Sequence, residues 1–297
     1  FKSSSIGQPY NKGNQLKYSD QLMDWLIEAG YTECFFVGGG NVMHLLESAR
    51  TRFNCIPVVH EVAAAIGTEY FNETNSGNGK RAFAMVTAGP GVTNLVTGVA
   101  GAWLESRELL VIAGQARTDA MSDGKIRQVG HQEINAVGIM EPITKFSYTA
   151  KQPLSRTDIL EIIELSKSGR KGPVFIEFCL DVTGTEVKEI SPILRLKPEL
   201  SPKISDLDLA SIKNLLQESE RPLFLFGGGL DRNQVSKVLD EIEKLGVPVA
   251  TTWNGADRYP AERDLYAGRP NTYGMRFGNV VIQQADLLIS LGTRLGL

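Results

Sequence analysis

The chain has 297 residues, with 31 lysines and arginines against 34 aspartates and glutamates, a formal net charge of −3, and 42% hydrophobic residues. This composition excludes a disordered, collagen-like or coiled-coil protein, and the length suffices for about two domains. The small excess of acid argues against binding to nucleic acid or to an anionic membrane surface. No apolar run approaches the roughly 20 residues that cross a bilayer.

Cysteine and histidine usage narrows the setting further. Cys34, Cys55 and Cys179 are scattered and form no Cys-x-x-Cys pair, which favours a reducing, cytoplasmic location over a disulfide framework. Only three histidines are present, which argues against a His-rich metal site. The first residues contain no apolar segment of a secretory signal. The chain does not start with Met and ends directly after an apolar run, so we expect a fragment of a longer protein.

Hydrophobic periodicity predicts alternating helices and strands along the first part of the chain. In chain order these are a helix from Ser19 to Gly30, strand 34–37, helix 42–49, strand 56–59, helix 62–71, strand 82–86, a helix of small residues through Ala102, strand 109–113, helix 157–168 and strand 174–178. Alternation of this kind predicts a mostly parallel sheet with helices on both faces. We assign this first domain to residues 1–181.

The alternation stops over residues 182–204, a polar stretch with several prolines that we interpret as an interdomain linker. It then resumes with helix 207–218, strand 223–226, helix 234–245, strand 247–251 and strand 287–291. The sequence therefore predicts an α/β protein of two doubly wound, mostly parallel-sheet domains, the second over residues 205–297 and incomplete at its C-terminus.

Unusual residues in the first domain follow the predicted strands. They are Gly38-Gly39-Gly40, His60-Glu61, the segment from Thr87 to Asn94, and Gly114-Gln115. Because ligands of open parallel sheets bind outside the carboxyl ends of the strands, we expect these four segments to meet at one rim.

Glu61 is the most unusual of these residues. It lies between an apolar strand and a helix of small residues, where its carboxylate would be partly desolvated and could share a proton. The alternative is an ordinary acid at a helix N-terminus, which the helix dipole favours and which is the commoner case. His60 is interpreted as a packing or hydrogen-bonding neighbour.

Two further patterns leave alternatives open. The small residues of 63–65 and 97–102 indicate close helix packing, either at a subunit interface or within one layer of the domain. Gly227-Gly228-Gly229 follows a strand but lacks the last glycine of a dinucleotide-binding motif, so it is either a nucleotide site or a simple turn.

Seven motifs occur in order: Val59-His60-Glu61, 87–94 (Thr-Ala-Gly-Pro-Gly-Val-Thr-Asn), Gly114-Gln115, His131-Gln132-Glu133, Thr144-Lys145, 168–174 (Ser-Gly-Arg-Lys-Gly-Pro-Val) and Gly292-Thr293-Arg294-Leu295. Together they resemble the thiamine-diphosphate-dependent enzymes of the acetolactate (acetohydroxyacid) synthase type. The resemblance runs from about Lys17 to Leu297 and covers that family's pyrimidine-binding and central domains.

The resemblance implies roles for particular residues. The family's buried glutamate hydrogen-bonds N1′ of the cofactor's aminopyrimidine, and Glu61 stands at the matching position as the catalytic residue. The other implied cofactor-binding residues are Gly39, Gly40, Thr87, Pro90, Asn94 and Gln115. His131 and Gln132 would contact the substrate, and a histidine where phenylalanine is frequent implies a more polar pocket.

The implied function is decarboxylation of a 2-keto acid, pyruvate in the first instance, with transfer of the acyl unit to an acceptor by a homodimer or homotetramer. Alternatives are another 2-keto acid decarboxylase, a sugar-pathway carboligase, or a noncatalytic nucleotide-binding, flavin-binding or regulatory subunit. The residues that choose the acceptor are expected mainly on a third domain.

Departures from the family pattern concern the other cofactors. The family anchors Mg²⁺ and the diphosphate with a Gly-Asp-Gly motif on that third domain; the sequence contains no such motif, so no metal ligand is predicted in this chain. FAD stays an open second cofactor. Gly227-Gly228-Gly229 and 274–278 resemble flavin-contacting segments, whereas Glu141 stands where flavin-binding members usually have arginine.

Overall fold

A six-stranded parallel sheet forms the first half of the structure, a computed structural model that describes residues 16–186, 189–197 and 203–295. Its strands are β1 (Tyr31–Phe36), β2 (Asn54–Pro57), β3 (Arg81–Val86), β4 (Leu109–Gln115), β5 (Phe146–Ala150) and β6 (Pro173–Cys179). Their order across the sheet is β2-β1-β3-β4-β6-β5. The accompanying helices are α1 (Tyr18–Glu28), α2 (Met43–Arg50), α3 (Glu61–Thr74), α4 (Pro90–Glu105), α5 (Ala136–Met140), α6 (Arg156–Lys167) and α7 (Leu180–Thr183).

The central strands are buried on both faces, and side-chain alternation separates two cores. In β3, Phe83 and Met85 pack into one core with residues of α1, α2 and α6, whereas Ala84 and Val86 face α3 and α4 on the other side. The second core is rich in alanine, so α3 and α4 lie close to the sheet. This layer holds Glu61 at the carboxyl edge of the strands.

The small residues of α3 and α4 serve the packing of these two helices against each other. A Cβ added at Gly98 would come within 2.5 Å of the Ala65 Cβ, so α4 needs a glycine at the crossing. Packing within one layer therefore accounts for Gly98 and Ala65. The same packing does not account for Gly101, where an added Cβ would meet nothing within 4 Å. The outer face of α3 also exposes Ile66 and Tyr70.

A smaller parallel sheet follows, with strands β7 (Pro222–Phe226), β8 (Val249–Thr251) and β9 (Leu287–Leu291) in the order β8-β7-β9. Its helices are α8 (Asp206–Glu218), α9 (Arg232–Ser236), α10 (Leu239–Lys244) and α11 (Arg276–Gln284). Phe224, Phe226, Val249 and Tyr259 form part of its core. Two mostly parallel α/β units confirm the predicted fold class. No helix within the described ranges is both long and apolar enough to span a membrane.

Some elements differ from the prediction. The helix predicted over 234–245 is divided into α9 and α10, which are separated by Lys237 and Val238. Strand β5 and helix α11 were not predicted. Strand β5 lies at the edge of the sheet and is only partly buried, so its sequence lacks the continuous apolar run of the central strands.

The segment predicted as a linker is attached to the first sheet's helices. Asp158 of α6 is fully buried, and its carboxylate accepts hydrogen bonds from the backbone N–H groups of Ile193 (3.1 Å) and Leu194 (2.8 Å). Glu161 accepts one from the backbone of Leu196 at 3.3 Å. Residues 189–197 thus lie along α6. Residues 1–15, 187–188, 198–202 and 296–297, where the predicted domains and linker also extend, lie outside the described residues.

Candidate active site

The loops after β1 and β3 meet at the carboxyl edge of the first sheet. A Cβ added at Gly39 would lie 2.4 Å from the Cβ of Thr87, so no larger residue fits there without displacement. Gly89 has φ +65°, and a Cβ on it would lie 2.6 Å from the backbone oxygen of Gln132. The glycines therefore permit close approach of three separate chain segments.

The end of β4 joins the same rim. A Cβ at Gly114 would lie 2.2 Å from the backbone oxygen of Asn41. The Asn41 side chain donates to the backbone oxygen of His131 at 3.2 Å. The structure thus brings together the segments that the sequence placed after four strands.

Glu61 is the first residue of α3 and is 8% exposed. Its Oε2 accepts a hydrogen bond from the Nδ2 of Asn94 at 2.8 Å, a contact between the first residue of α3 and the fifth residue of α4. Gly91 leaves no side chain beside Oε1. The helix dipole also favours a carboxylate here, but it does not explain the approach of Asn94. Glu61 is therefore a buried acceptor held in position by a neighbouring helix.

The neighbours of Glu61 complete a small polar niche. His60 caps α3, since its Nδ1 accepts a hydrogen bond from the backbone N–H of Val62 at 3.3 Å. Thr87 is 8% exposed, and its buried hydroxyl has no hydrogen-bond partner among the described residues. A buried hydroxyl without a hydrogen-bond partner lowers the stability of the fold, so a ligand that hydrogen-bonds this hydroxyl would gain binding free energy. Pro90, the first residue of α4, and Gly40 are both exposed.

Gln115 lies behind the rim and is fully buried. Its Nε2 donates to the backbone oxygen of Ile134 (3.2 Å) and to Glu177 (3.0 Å), while its Oε1 accepts from the N–H of Ala116 (2.8 Å). These bonds fix the loop after β4, and the cofactor contact implied for Gln115 stays a prediction.

The two predicted substrate residues lie across the rim from the helix that begins with Glu61. His131 is exposed, and Gln132 adopts φ +59°, a left-handed conformation that is uncommon for a residue other than glycine. Such strain is often found at functional sites. Their contacts described above involve backbone atoms, which leaves the role of both side chains a prediction.

Glu177 is a buried acid that the sequence analysis did not single out. It is 2% exposed on β6 and accepts hydrogen bonds from Thr149 (2.6 Å) and Gln115 (3.0 Å). Burial raises the pKa of Glu177 to about 6, and the two hydrogen bonds oppose that rise only in part. A single acid within the apolar run 173–179 is the signal that could have identified it.

Glu133, the last residue of the His131-Gln132-Glu133 motif, orders the loop between β4 and α5. The Glu133 carboxylate accepts hydrogen bonds from the backbone N–H groups of Ser122 (2.6 Å), Val129 (2.9 Å) and Gly130 (3.1 Å). Burial would raise the pKa of Glu133, but these three bonds outweigh it and hold the pKa below its usual range. Glu133 therefore fixes the loop that carries His131 and Gln132.

A separate cavity of about 1170 Å³ lies between the two sheet units and is not lined by Glu61. Several of its cations are paired with carboxylates, namely Arg81 with Glu108, Arg107 with Glu69, Arg232 with Asp257 and Arg258 with Glu73. Others make no ion pair among the described residues, namely Lys80, Arg170, Lys171 and Arg294. Trp253 lines the same cavity and is 59% exposed. The crevice thus offers positive charge and an aromatic face.

Within the described ranges, no cluster of histidine, cysteine or acidic residues could hold a metal ion.

Comparison with known proteins agrees with this arrangement. Residues 16–139 match the family model of the thiamine pyrophosphate enzyme N-terminal TPP binding domain, and residues 209–297 match that of the thiamine pyrophosphate enzyme central domain. The acetolactate synthase large subunit of Lactococcus lactis is 33% identical over 283 residues, covering 93% of this chain and 48% of the relative.

Two other relatives give the same result. The acetolactate synthase isozyme 1 large subunit of Escherichia coli is 30% identical over 277 residues, covering 92% of this chain and 48% of the relative. The probable acetolactate synthase large subunit of Methanocaldococcus jannaschii is 32% identical over 242 residues, covering 79% of this chain and 40% of the relative. The chain thus spans about half the length of the curated relatives it matches, and these comparisons do not favour the alternative functions. The chain belongs to the thiamine-diphosphate-dependent, acetolactate synthase-like family of enzymes.

Proposed function

We propose that the chain provides the pyrimidine-side half of a thiamine diphosphate site in an enzyme that decarboxylates pyruvate and transfers the acyl unit to a second substrate, as an acetolactate synthase does. The observation that carries the proposal is the buried Glu61 carboxylate, held by Asn94 beside the unpartnered Thr87 hydroxyl. When bound, the cofactor supplies a nucleophilic C2 carbon and accepts the electrons released by decarboxylation.

The residues present fit an aminopyrimidine. A buried carboxylate can hold a proton at a ring nitrogen, and Glu61 has one oxygen beyond the one that Asn94 occupies. The Thr87 hydroxyl lacks a partner among the described residues and can bond a polar group of the ring. Pro90 and the glycines Gly39 and Gly40 would contact the cofactor from the rim. Gln115 would also fix the loop that bears the substrate residues.

We assign substrate contact to His131 and Gln132, which lie across the rim from Glu61's helix. Gln132 touches Gly89 next to the α4 N-terminus, so its loop is close to the proposed cofactor position. An exposed histidine would make this part of the pocket polar and suited to a 2-keto acid carboxylate.

Binding of the diphosphate and Mg²⁺ is proposed to involve residues outside this sequence. No Gly-Asp-Gly motif occurs in it, and the described acids form no metal-binding cluster. A homodimer or homotetramer is proposed on the exposed apolar side chains before and along α3, which include Val59 (102% exposed), Ile66 and Tyr70. Burial of such residues against a second copy would stabilise the assembly.

The experiment is replacement of Glu61 by Gln in the complete protein. Glutamine keeps the size of the side chain but removes the carboxylate, so C2 proton exchange of bound thiamine diphosphate should slow by at least about 100-fold, on the order of general acid–base contributions. Glu47→Gln is the matched control, because Glu47 is an exposed acid on α2. Wild-type exchange in Glu61→Gln, with cofactor bound, would refute the assignment.

We also propose that the crevice between the sheets takes a flavin or another nucleotide. The unpaired cations suit phosphate groups, and Trp253 offers a face for a ring. FAD gives purified protein a yellow absorbance. A colourless preparation that takes up no added FAD would refute flavin binding and leave a simple nucleotide to be tested.

We also propose two domains joined by a linker, and a cytoplasmic location. The proposed limits are 1–181 and 205–297 with a linker at 182–204, and the presence of two separate sheets supports a division into two domains. All three cysteines are free thiols, which supports a cytoplasmic setting.

A further inference from the structure

Arg258 lies between the two sheet units and is 4% exposed. Its Nη2 atom donates to the Glu73 carboxylate in the last turn of α3 at 2.7 Å. The Nη1 atom contacts the neighbouring Asp257. One guanidinium thus joins the second unit to the helix that begins with Glu61.

The same guanidinium holds the glycine-rich loop that follows β7. Its Nε donates to the backbone oxygen of Leu230 at 2.7 Å, and its Nη2 also donates to the backbone oxygen of Gly228 at 3.3 Å. This loop has little freedom, since a Cβ at Gly228 would lie 2.9 Å from the backbone oxygen of Asn254. Gly228 and Leu230 both line the crevice. Arg258 therefore fixes one wall of the cavity relative to the other.

Further contacts at the end of α3 indicate that this junction is extended. Ser76 donates to Asp231 at 2.9 Å, and Asn233 donates to the backbone oxygen of Ser76. Asp231 keeps a lowered pKa, because hydrogen bonds from Gln234 and Ser76 outweigh the effect of burial. Arg258 is the only one of these side chains that bonds both the glycine-rich loop and α3.

We propose that Arg258 is a positioning residue that sets the width of the nucleotide crevice. Its donors are engaged by two carboxylates and two backbone oxygens, so its role is to hold the walls, and the unpaired cations contact the phosphates. The proposal rests on the proposed nucleotide site, but not on thiamine diphosphate chemistry. A guanidinium suits this task because its planar fork bonds several acceptors at fixed angles, which a lysine cannot do.

The test measures binding of ADP and FAD to the complete protein by calorimetry, and amide exchange of residues 227–230. Arg258→Gln and Glu73→Gln should each weaken ADP binding at least tenfold and speed exchange in the loop. Because both act through one ion pair, the double variant should bind no more weakly than Arg258→Gln alone. Arg258→Lys should recover less than half of the lost binding free energy, since it cannot bond both carbonyls. Arg263→Gln is the matched control, because Arg263 pairs with Asp240 and Glu243 away from the crevice.

Several results would overturn the proposal. They are ADP binding by folded Arg258→Gln within twofold of wild type, losses that multiply in the double variant, full rescue by lysine, or no binding of either probe to the wild type. Should Arg258→Gln not fold, the Glu73→Gln variant carries the same tenfold expectation. Slow C2 proton exchange in Glu61→Gln is an independent result, so failure here leaves the proposed enzyme function standing.

Discussion

The buried acid Glu177 should make the stability of the first sheet depend on pH. An ordinary glutamate titrates near 4.5, and in the folded chain burial raises the pKa of Glu177 to about 6. Between these values the folded chain retains a proton that the unfolded chain has released. The stabilisation is therefore complete below about pH 4.5 and is lost as the pH rises through about 6.

The difference corresponds to about 2 kcal/mol of unfolding free energy, from about 1.4 kcal/mol for each tenfold change in proton affinity. Glu177→Gln removes the titrating group. The stability of wild type minus that of the variant should therefore fall by about 1.6 kcal/mol from about pH 4.5 to pH 7, since the unfolded chain is already half deprotonated at pH 4.5. Differences between the two proteins cancel the contributions of other groups, as long as these titrate alike in both.

Urea unfolding followed by tryptophan fluorescence provides the measurement. Trp25 and Trp103 lie in the first unit, and a Trp253→Phe background removes the signal of the second. Glu164→Gln is the control, since Glu164 is exposed on α6. A difference that stays flat within about 0.5 kcal/mol across this range, or that grows with pH, would refute the reasoning.

Two further predictions concern the packing around the site. Asp158→Ala leaves the backbone N–H groups of Ile193 and Leu194 unpaired. It should therefore lower the free energy of unfolding in urea by about 2–3 kcal/mol and speed proteolysis within 189–197. Unchanged proteolysis would contradict the attachment of this segment to α6. Gly39→Ala should lower the free energy of unfolding by about 1–3 kcal/mol, because the added Cβ meets Thr87. Gly40→Ala should lower it much less, since the space around Gly40 is open. Equal losses of stability would contradict the close contact at Gly39.

Much of the fold could be predicted because its central strands are continuous apolar runs. Strands β3, β4 and β6 lie close to the predicted ranges, and each is buried along nearly all its length. Strand β5 was missed because Ser147 and Thr149 interrupt its apolar residues at a sheet edge. The break between α9 and α10 was missed since both segments continue one polar, helix-favouring pattern.

The candidate site was predictable in location but not in its contacts. Residues that follow parallel strands must lie at one edge of the sheet, and this rule alone places Glu61 near Thr87. The bond between Asn94 and Glu61 depends on how closely α3 approaches α4, which a glycine at position 98 permits. The pairing of Gln115 with Glu177 depends on strand register, in which Ala113 lies beside Glu177 across β4 and β6. Register between distant segments leaves no local signal in the sequence.

Helix α3 relates the two proposed sites to each other. Glu61 is its first residue and Glu73 lies in its last turn, so the two residues are about 18 Å apart along the helix axis at 1.5 Å per residue. Because Glu73 is paired with Arg258, their opposite charges largely cancel at that distance, which makes direct electrostatic coupling between the sites weak. Any coupling would have to pass through movement of the helix itself, and the close contact of Gly98 with Ala65 resists such movement. The proton exchange of Glu61→Gln and the ADP affinity of Arg258→Gln therefore report on separate sites, although one helix carries both.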